Sequence, residues 1–276
     1  MKLSIVYKHI RSILKTIGLW CYVYIYARIR DFWRARSGTC HVTILLYHRI
    51  SNTNIDSVTV KPSQFSQHLI ILKRDYELID MTEFLANRDA SRRKPAVIIT
   101  FDDGYEDNFQ AAKMLRDAGI PCTFFICTGI VGTEKSFPMD LRLKRWLPTL
   151  SWNQVIEMSS WGFHIANHSV NHVDMGQLEV ADSLKEIHSA ARDIAHRLGE
   201  KGPENWLAYP FGRLQNMKRE LAEQFSINGV DFCFSAYGGV NQPDFDPHDI
   251  RRQPVSHQFS DLMLHAVVAG YRIRHQ

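Results

Sequence analysis

Two adjacent carboxylates, Asp102 and Asp103, and two histidines four residues apart, His168 and His172, stand out as side chains able to do chemistry. Imidazoles at that spacing can face one way, and with one carboxylate they form a His₂Asp donor set suited to zinc or a similar divalent ion. Neighbouring carboxylates point differently, so Asp103 can take the metal while Asp102 stays free. Three protein ligands leave an open position for water, whose pKa the ion lowers toward ~7. A free carboxylate beside that water can remove its proton. The chemistry is metal-assisted hydrolysis of an amide or ester.

Such residues need a scaffold that carries distant segments to one face. From residue 42 the chain alternates β-rich runs with amphipathic stretches. Strands are predicted over 42–48, 96–102, 122–127, 163–167, 206–210, 232–235 and 250–255. Several are continuously apolar and β-branched, as strands covered on both faces should be. A helix is predicted over 179–198, where Val180, Leu184, Ile187, Ala191, Ile194 and Leu198 recur at spacings of three and four before Gly199. Another, over 106–118, ends at Gly119-Ile120-Pro121. About seven β–α alternations in roughly 235 residues fit one parallel α/β barrel better than an open two-domain sheet. In such folds catalytic groups sit at the C-terminal ends of strands. The first predicted strand runs into His48-Arg49, the second into Asp102-Asp103-Gly104, the fourth into His168 and His172, and the fifth into Pro210-Phe211-Gly212. His9, His41, His68, His188, His196 and His265 have no partner spacing, and His164 lies within a strand, a structural position.

Composition narrows the class. The chain has 276 residues, 45% hydrophobic and 22% charged, which excludes disorder, collagen and coiled coil. Cys21, Cys40, Cys122, Cys127 and Cys233 are odd in number and form no C-x-x-C pair, so reduced thiols are expected rather than a disulfide framework or structural zinc module. The net charge of +4 hides an asymmetry. Residues 1–36 carry Lys2, Lys8, Arg11, Lys15, Arg28, Arg30, Arg34 and Arg36 against Asp31 alone, so the remainder is mildly acidic. That balance argues against nucleic-acid binding. Residues 16–27 are uncharged, too short to span a bilayer, and hold Trp20, Tyr22, Tyr24 and Tyr26, residue types that favour a membrane interface. The expected organisation is a basic, aromatic segment over 1–36, followed by a catalytic domain over 37–276; the segment reads as a peripheral membrane anchor, with a helix packed on the main domain or an export signal as alternatives. The expected location is cytoplasmic, peripheral on the inner membrane face, with an exported location as the alternative.

The chemistry-bearing segments carry a family resemblance. Thr100-Phe101-Asp102-Asp103-Gly104-Tyr105 resembles the first motif of the NodB-homology polysaccharide deacetylases, carbohydrate esterase family 4. The segment from Gly162 to His172 resembles the second, and Ala208-Tyr209-Pro210-Phe211-Gly212 the third. The resemblance spans about residues 42–256. It implies a distorted (β/α) barrel of seven or eight strands, a divalent metal on Asp103, His168 and His172, and Asp102 as base. The metal is expected to be zinc, with cobalt, nickel or manganese as alternatives. Tyr209, Phe211 and Arg251 are the expected substrate contacts.

Two departures from the family pattern matter. The third motif usually begins with an arginine that orients the catalytic aspartate; Ala208 stands there, and Arg251 or Arg252 is the candidate substitute. The late leucine–histidine motif that supplies the acid has only Leu264-His265 as a candidate, inside a helical stretch. Leu45-Leu46-Tyr47-His48-Arg49-Ile50 instead resembles the N-terminal Tyr-His-Arg motif of the poly-N-acetylglucosamine deacetylase subgroup, which makes His48 the expected acid. The expected activity is metal-dependent removal of N-acetyl groups from an amino sugar in a polysaccharide or lipid-linked saccharide. A deformylase or other amide hydrolase acting on a lipid-linked sugar is the alternative. A non-catalytic carbohydrate-binding barrel is the reading from a different class, and the presence of all four of Asp102, Asp103, His168 and His172 disfavours it.

Overall fold

Continuously apolar strands have no wet face, so they assemble as a parallel sheet with cover on both sides. The computed structural model describes residues 2–53, 56–87, 91–199 and 205–272. Two helices, α1 (Lys2–Cys21) and α2 (Arg28–Ser37), are joined by a π-helical turn, Tyr22–Ala27. There follow β1 (Val42–Tyr47), β2 (Arg49–Ile50), β3 (Thr59–Val60), α3 (Pro62–Asp75), β4 (Glu77–Leu78), α4 (Met81–Ala86), β5 (Ala96–Phe101) and α5 (Asp107–Ala118). The second half comprises β6 (Cys122–Ile126), α6 (Pro138–Arg142), α7 (Trp152–Ser160), β7 (His164–Asn167), α8 (Val180–Leu198), β8 (Trp206–Ala208), α9 (Arg219–Phe225), β9 (Phe232–Phe234), β10 (Arg252–Pro254) and α10 (Asp261–Val268).

The main sheet runs β10-β1-β5-β6-β7-β8-β9, all parallel, with β4 also on β5. Beyond β9 the sheet nearly closes on itself: Phe234 bridges Ile250, two residues before β10. This is the expected distorted (β/α) barrel. All seven expected strands are present, each shorter at its ends than the sequence suggests. The strands β2, β3 and β4 are two residues long, too short to show a period.

Alternation along the strands divides the core in two. Ile44, Ile98, Phe125, Ala166, Ala208 and Phe234 share the inner cluster, together with Met81 and Phe84 of α4. Leu45, Val97, Ile99, Phe124 and Ile165 face the covering helices α3, α5, α7 and α10. All five cysteines are free thiols, as expected.

One buried group makes this core sensitive to pH. His68 of α3 is fully buried and bonds the Tyr47 hydroxyl through Nδ1 at 3.0 Å. Burial pushes its pKa down to about 4. The unfolded chain takes up a proton near pH 6.5, whereas the folded chain resists until about pH 4, so stability present above pH 6.5 is lost as pH falls through that window. At ~1.4 kcal/mol per unit, the expected loss by pH 4.5 is about 2–3 kcal/mol. Denaturant titrations at pH 7 and 4.5 check this: His68→Gln, which keeps a polar partner but does not titrate, should lose that much less than the parent. Equal losses would contradict it.

Candidate active site

The inner rows of the strands continue past their C-terminal ends into one buried space. On β1 the row Val42, Ile44 leads to His48; on β5 the row Ala96, Ile98, Thr100 leads to Asp102; beyond β7, Ala166 leads to His168. A strand that simply continued would turn Asp103 the other way. Instead Asp103 has φ +75, which swings its carboxylate toward His168 and His172. Gly104 follows at φ +91, where an added Cβ would sit 2.8 Å from Val131 Cγ2. The turn therefore needs glycine on both steric and conformational grounds.

Asp102 and Asp103 are each 2% exposed, His168 1% and His172 6%. Asp103 Oδ1 lies 3.4 Å from His168 Nε2 and 3.3 Å from His172 Nε2. His168 Nδ1 faces the Ala208 carbonyl at 2.8 Å. A carbonyl only accepts, so Nδ1 carries the hydrogen and Nε2 is the nitrogen turned toward Asp103. His172 is gripped at ring edges by Phe137 (5.5 Å) and Phe211 (4.7 Å), and its backbone N–H donates to Ser169 Oγ at 3.0 Å. Burial would raise the Asp103 pKa, but the facing imidazoles of His168 and His172 hold it well below the usual range. Burial would lower that of His168, yet the Asp102 and Asp103 carboxylates raise it.

Asp102 is bound differently. Arg252 of β10 forms two parallel hydrogen bonds with it, Nη1 to Oδ1 at 2.6 Å and Nη2 to Oδ2 at 2.7 Å. Arg252 is fully buried, donates through Nε to the Ser235 carbonyl (3.0 Å), and lies over the Phe125 ring at 5.0 Å. A bidentate guanidinium fixes a carboxylate plane as well as its charge. Ala208 is small and part of the inner cluster, and the arginine arrives from β10 instead of β8.

His48 is partly exposed, and its backbone is held from both sides by the first turn of α5. Asn108 Nδ2 donates to the His48 carbonyl (2.7 Å), while Asp107 accepts from the Ile50 N–H (3.1 Å) and pairs with Arg49 (3.0 Å). Its own Nδ1 is buried without a hydrogen-bond partner. Burial pushes its pKa down, opposed by the Asp103 and Asp102 charges.

The remaining candidates lie around or away from this cluster. Arg251 is exposed and lies over the Tyr237 ring at 5.7 Å, outside the carboxylate pocket; of the two candidates, Arg252 holds Asp102. Alternation marks the difference, since 252 shares the strand face of buried Ile250 and 251 does not. Tyr209 is 1% exposed and packs outward with Phe225 and Leu221. Phe211 is 47% exposed, at φ +63, on the rim beside His172. His265 lies on α10, bonded to the Tyr76 hydroxyl at 2.7 Å and 3.7 Å from Asp75, away from the two aspartates. Cys127, which no spacing in the sequence marks as a ligand, has its donor atom within 4.8 Å of those of Asp103 and His168. Its thiol donates to the His168 carbonyl at 3.1 Å.

The fold and its relatives agree. The Streptococcus pyogenes deacetylase PplD superposes with a TM-score of 0.69 at 20% identity, over 83% of this chain and 99% of that one. IcaB from Ammonifex degensii gives 0.69 at 21%, over 83% and 97%. In sequence, the poly-β-1,6-N-acetyl-D-glucosamine N-deacetylase of Staphylococcus aureus is 24% identical over 220 residues, 76% of this chain and 72% of the relative. Bacillus subtilis YxkH, named for polysaccharide deacetylation, is 25% identical over 70% of this chain, which spans only 64% of YxkH. Residues 89–230 match the polysaccharide deacetylase family model, a span that includes Asp102, Asp103, His168 and His172. With half the chain so matched on a barrel that gathers those residues into one buried pocket, the protein belongs to the polysaccharide deacetylase family.

Proposed function

We propose that this chain is a divalent-metal-dependent hydrolase that removes N-acetyl groups from an N-acetylated amino-sugar polysaccharide. The observation that carries the reading is the buried Asp103 Oδ1, which makes no hydrogen bond of good geometry and faces two imidazole nitrogens. A carboxylate oxygen opposite the lone pair of His168 Nε2 needs a cation between them: a proton on the histidine, or a metal ion. Asp103, His168 and His172 would hold that ion. Cys127 suits it less, because burial and the nearby carboxylates push its thiol pKa well up, and a thiol binds metal as thiolate. When bound, a divalent ion supplies Lewis acidity, activating a water and polarising the amide carbonyl.

The chain's own groups do the rest. Asp102, oriented by Arg252, takes the proton of the attacking water. His48 gives a proton to the departing amine nitrogen. Phe211 offers an apolar face at the rim, and Asn108 and Asp107 keep the His48 backbone in place.

The test is acetate release from β-1,6-linked N-acetylglucosamine oligomers by the purified, zinc-loaded protein. Stoichiometric acetate with matching free amines supports the reading. Release of formate from an N-formyl sugar with no acetate would make it a deformylase, and glycan binding without either product would make it a binding barrel.

His48→Ala gives a further expected outcome. The acid acts in its protonated form, so activity should fall as pH rises through its pKa, and the variant should lose that alkaline limb. We expect kcat to drop by about 10²–10⁴ with metal content unchanged. Substrates with better leaving groups should recover most of the loss. A fully active His48→Ala beside an inactive His265→Ala would overturn this assignment.

A further inference from the structure

We infer that the N-terminal helix lies in the plane of an anionic membrane surface, held there by an apolar stripe distinct from the one that packs on the barrel. The packed stripe is short: Leu19, Val23 and Ala27 are buried, and Leu19 and Val23 cluster with Ala266 of α10. Tyr22 completes the seam, its hydroxyl donating to the Ala269 carbonyl (3.2 Å) and its ring against Tyr271 (5.3 Å). A second series, Ile13, Ile17, Ile25, Ile29 and Trp33, is 49–62% exposed throughout. Exposed Ile10, Leu14, Trp20 and Phe32 widen it into a broad face.

The π turn keeps both stripes straight. At 3.6 residues per turn, a spacing of four drifts by ~40° per step. The wider turn Tyr22–Ala27 takes up that drift, so the buried set 19, 23, 27 and the exposed set 17, 21, 25, 29, 33 each stay on one side. By helical periodicity the two sets are nearly opposite, Leu19 being ~160° from Ile17. An apolar face this long is costly in water and marks a binding surface.

Charge identifies the occupant. Residues 1–36 hold eight basic side chains and a single acid, matching anionic headgroups and opposing association with a second copy of the same cationic helix. Trp20, Tyr24, Tyr26 and Trp33, all exposed, are residue types that settle at the headgroup level. No helix among the described residues is long and apolar enough to cross a membrane, so the geometry is in-plane. The seam also sets the enzyme's pose. His41 and Thr43, at the start of β1, bond the Val268 carbonyl at the end of α10, so the helix docks near the N-terminal ends of the strands. The proposed catalytic residues lie at the opposite ends, turned away from the docking seam and toward a glycan in the aqueous phase.

The experiment is co-sedimentation of the full chain with vesicles of phosphatidylcholine containing 30% phosphatidylglycerol, against phosphatidylcholine alone. We expect binding to the anionic vesicles, weakened about fivefold for each of Arg28→Gln and Arg36→Gln. The triple variant Ile17→Glu, Ile25→Glu, Ile29→Glu should lose at least ~10-fold in partitioning, because its side chains sit on the lipid side. Its melting temperature should match the parent's, since those positions are exposed. Unchanged sedimentation of the triple variant would overturn the inference. So would a lipid-free dimer, seen by ultracentrifugation, that the triple variant dissociates.

Discussion

Alanine in place of Asp103 or His172 is expected to abolish hydrolysis, lowering kcat/KM by more than about 10³, a loss on the scale of a missing electrophilic stabiliser. Each removes one donor from a set whose other members are buried and cannot be replaced by solvent. His172 is the more informative position. Its ring is held by Phe137 and Phe211, and its substitution leaves the Arg252–Asp102 pair untouched. Zinc titration should show weakened binding in parallel with the lost rate. His265→Ala, on α10 and bonded to Tyr76, is the control expected to keep both. Full zinc loading and activity in His172→Ala would contradict the assignment.

The second large effect separates two adjacent carboxylates. Asp102→Asn should retain zinc and lose about 10²–10⁴ in kcat, the usual worth of general acid–base catalysis. Asp102 spends both oxygens on Arg252, at 2.6 and 2.7 Å, and lies 3.8 Å from His168 Nε2. Asp103 Oδ1 instead faces both histidines. An amide keeps the shape and one acceptor but cannot take a proton from water. Loss of zinc in Asp102→Asn, with rate preserved in Asp103→Asn, would reverse the two roles.

Much of this was legible in the sequence because burial on both faces leaves an unmistakable trace. The runs 42–47 and 96–101 are wholly buried strands, and their ends carry His48 and Asp102 as parity requires. Other features were less legible. Arg252 was named only as one of two candidates, although counting by two from Ile250 would have chosen it. Tyr209 resembles a mouth residue by motif position, but the backbone turn at Pro210-Phe211 leaves it on the outer side and puts Phe211 on the rim. The strands β2, β3 and β4 depend on pairing with distant segments, which a local period cannot reveal. In the N-terminal segment the aromatic and basic composition was readable. A helix packed on the domain was one of the readings open there, but its division into a packed and an exposed side was not legible, because both stripes are apolar.

The most direct test of the metal centre is an anomalous difference map, collected at the zinc edge, from crystals of the zinc-loaded protein. One strong peak is expected within coordination distance of an Asp103 carboxylate oxygen, His168 Nε2 and His172 Nε2, with Asp102 still paired to Arg252. A peak ligated by Cys127 and His168 without His172, or none in this pocket, would contradict it.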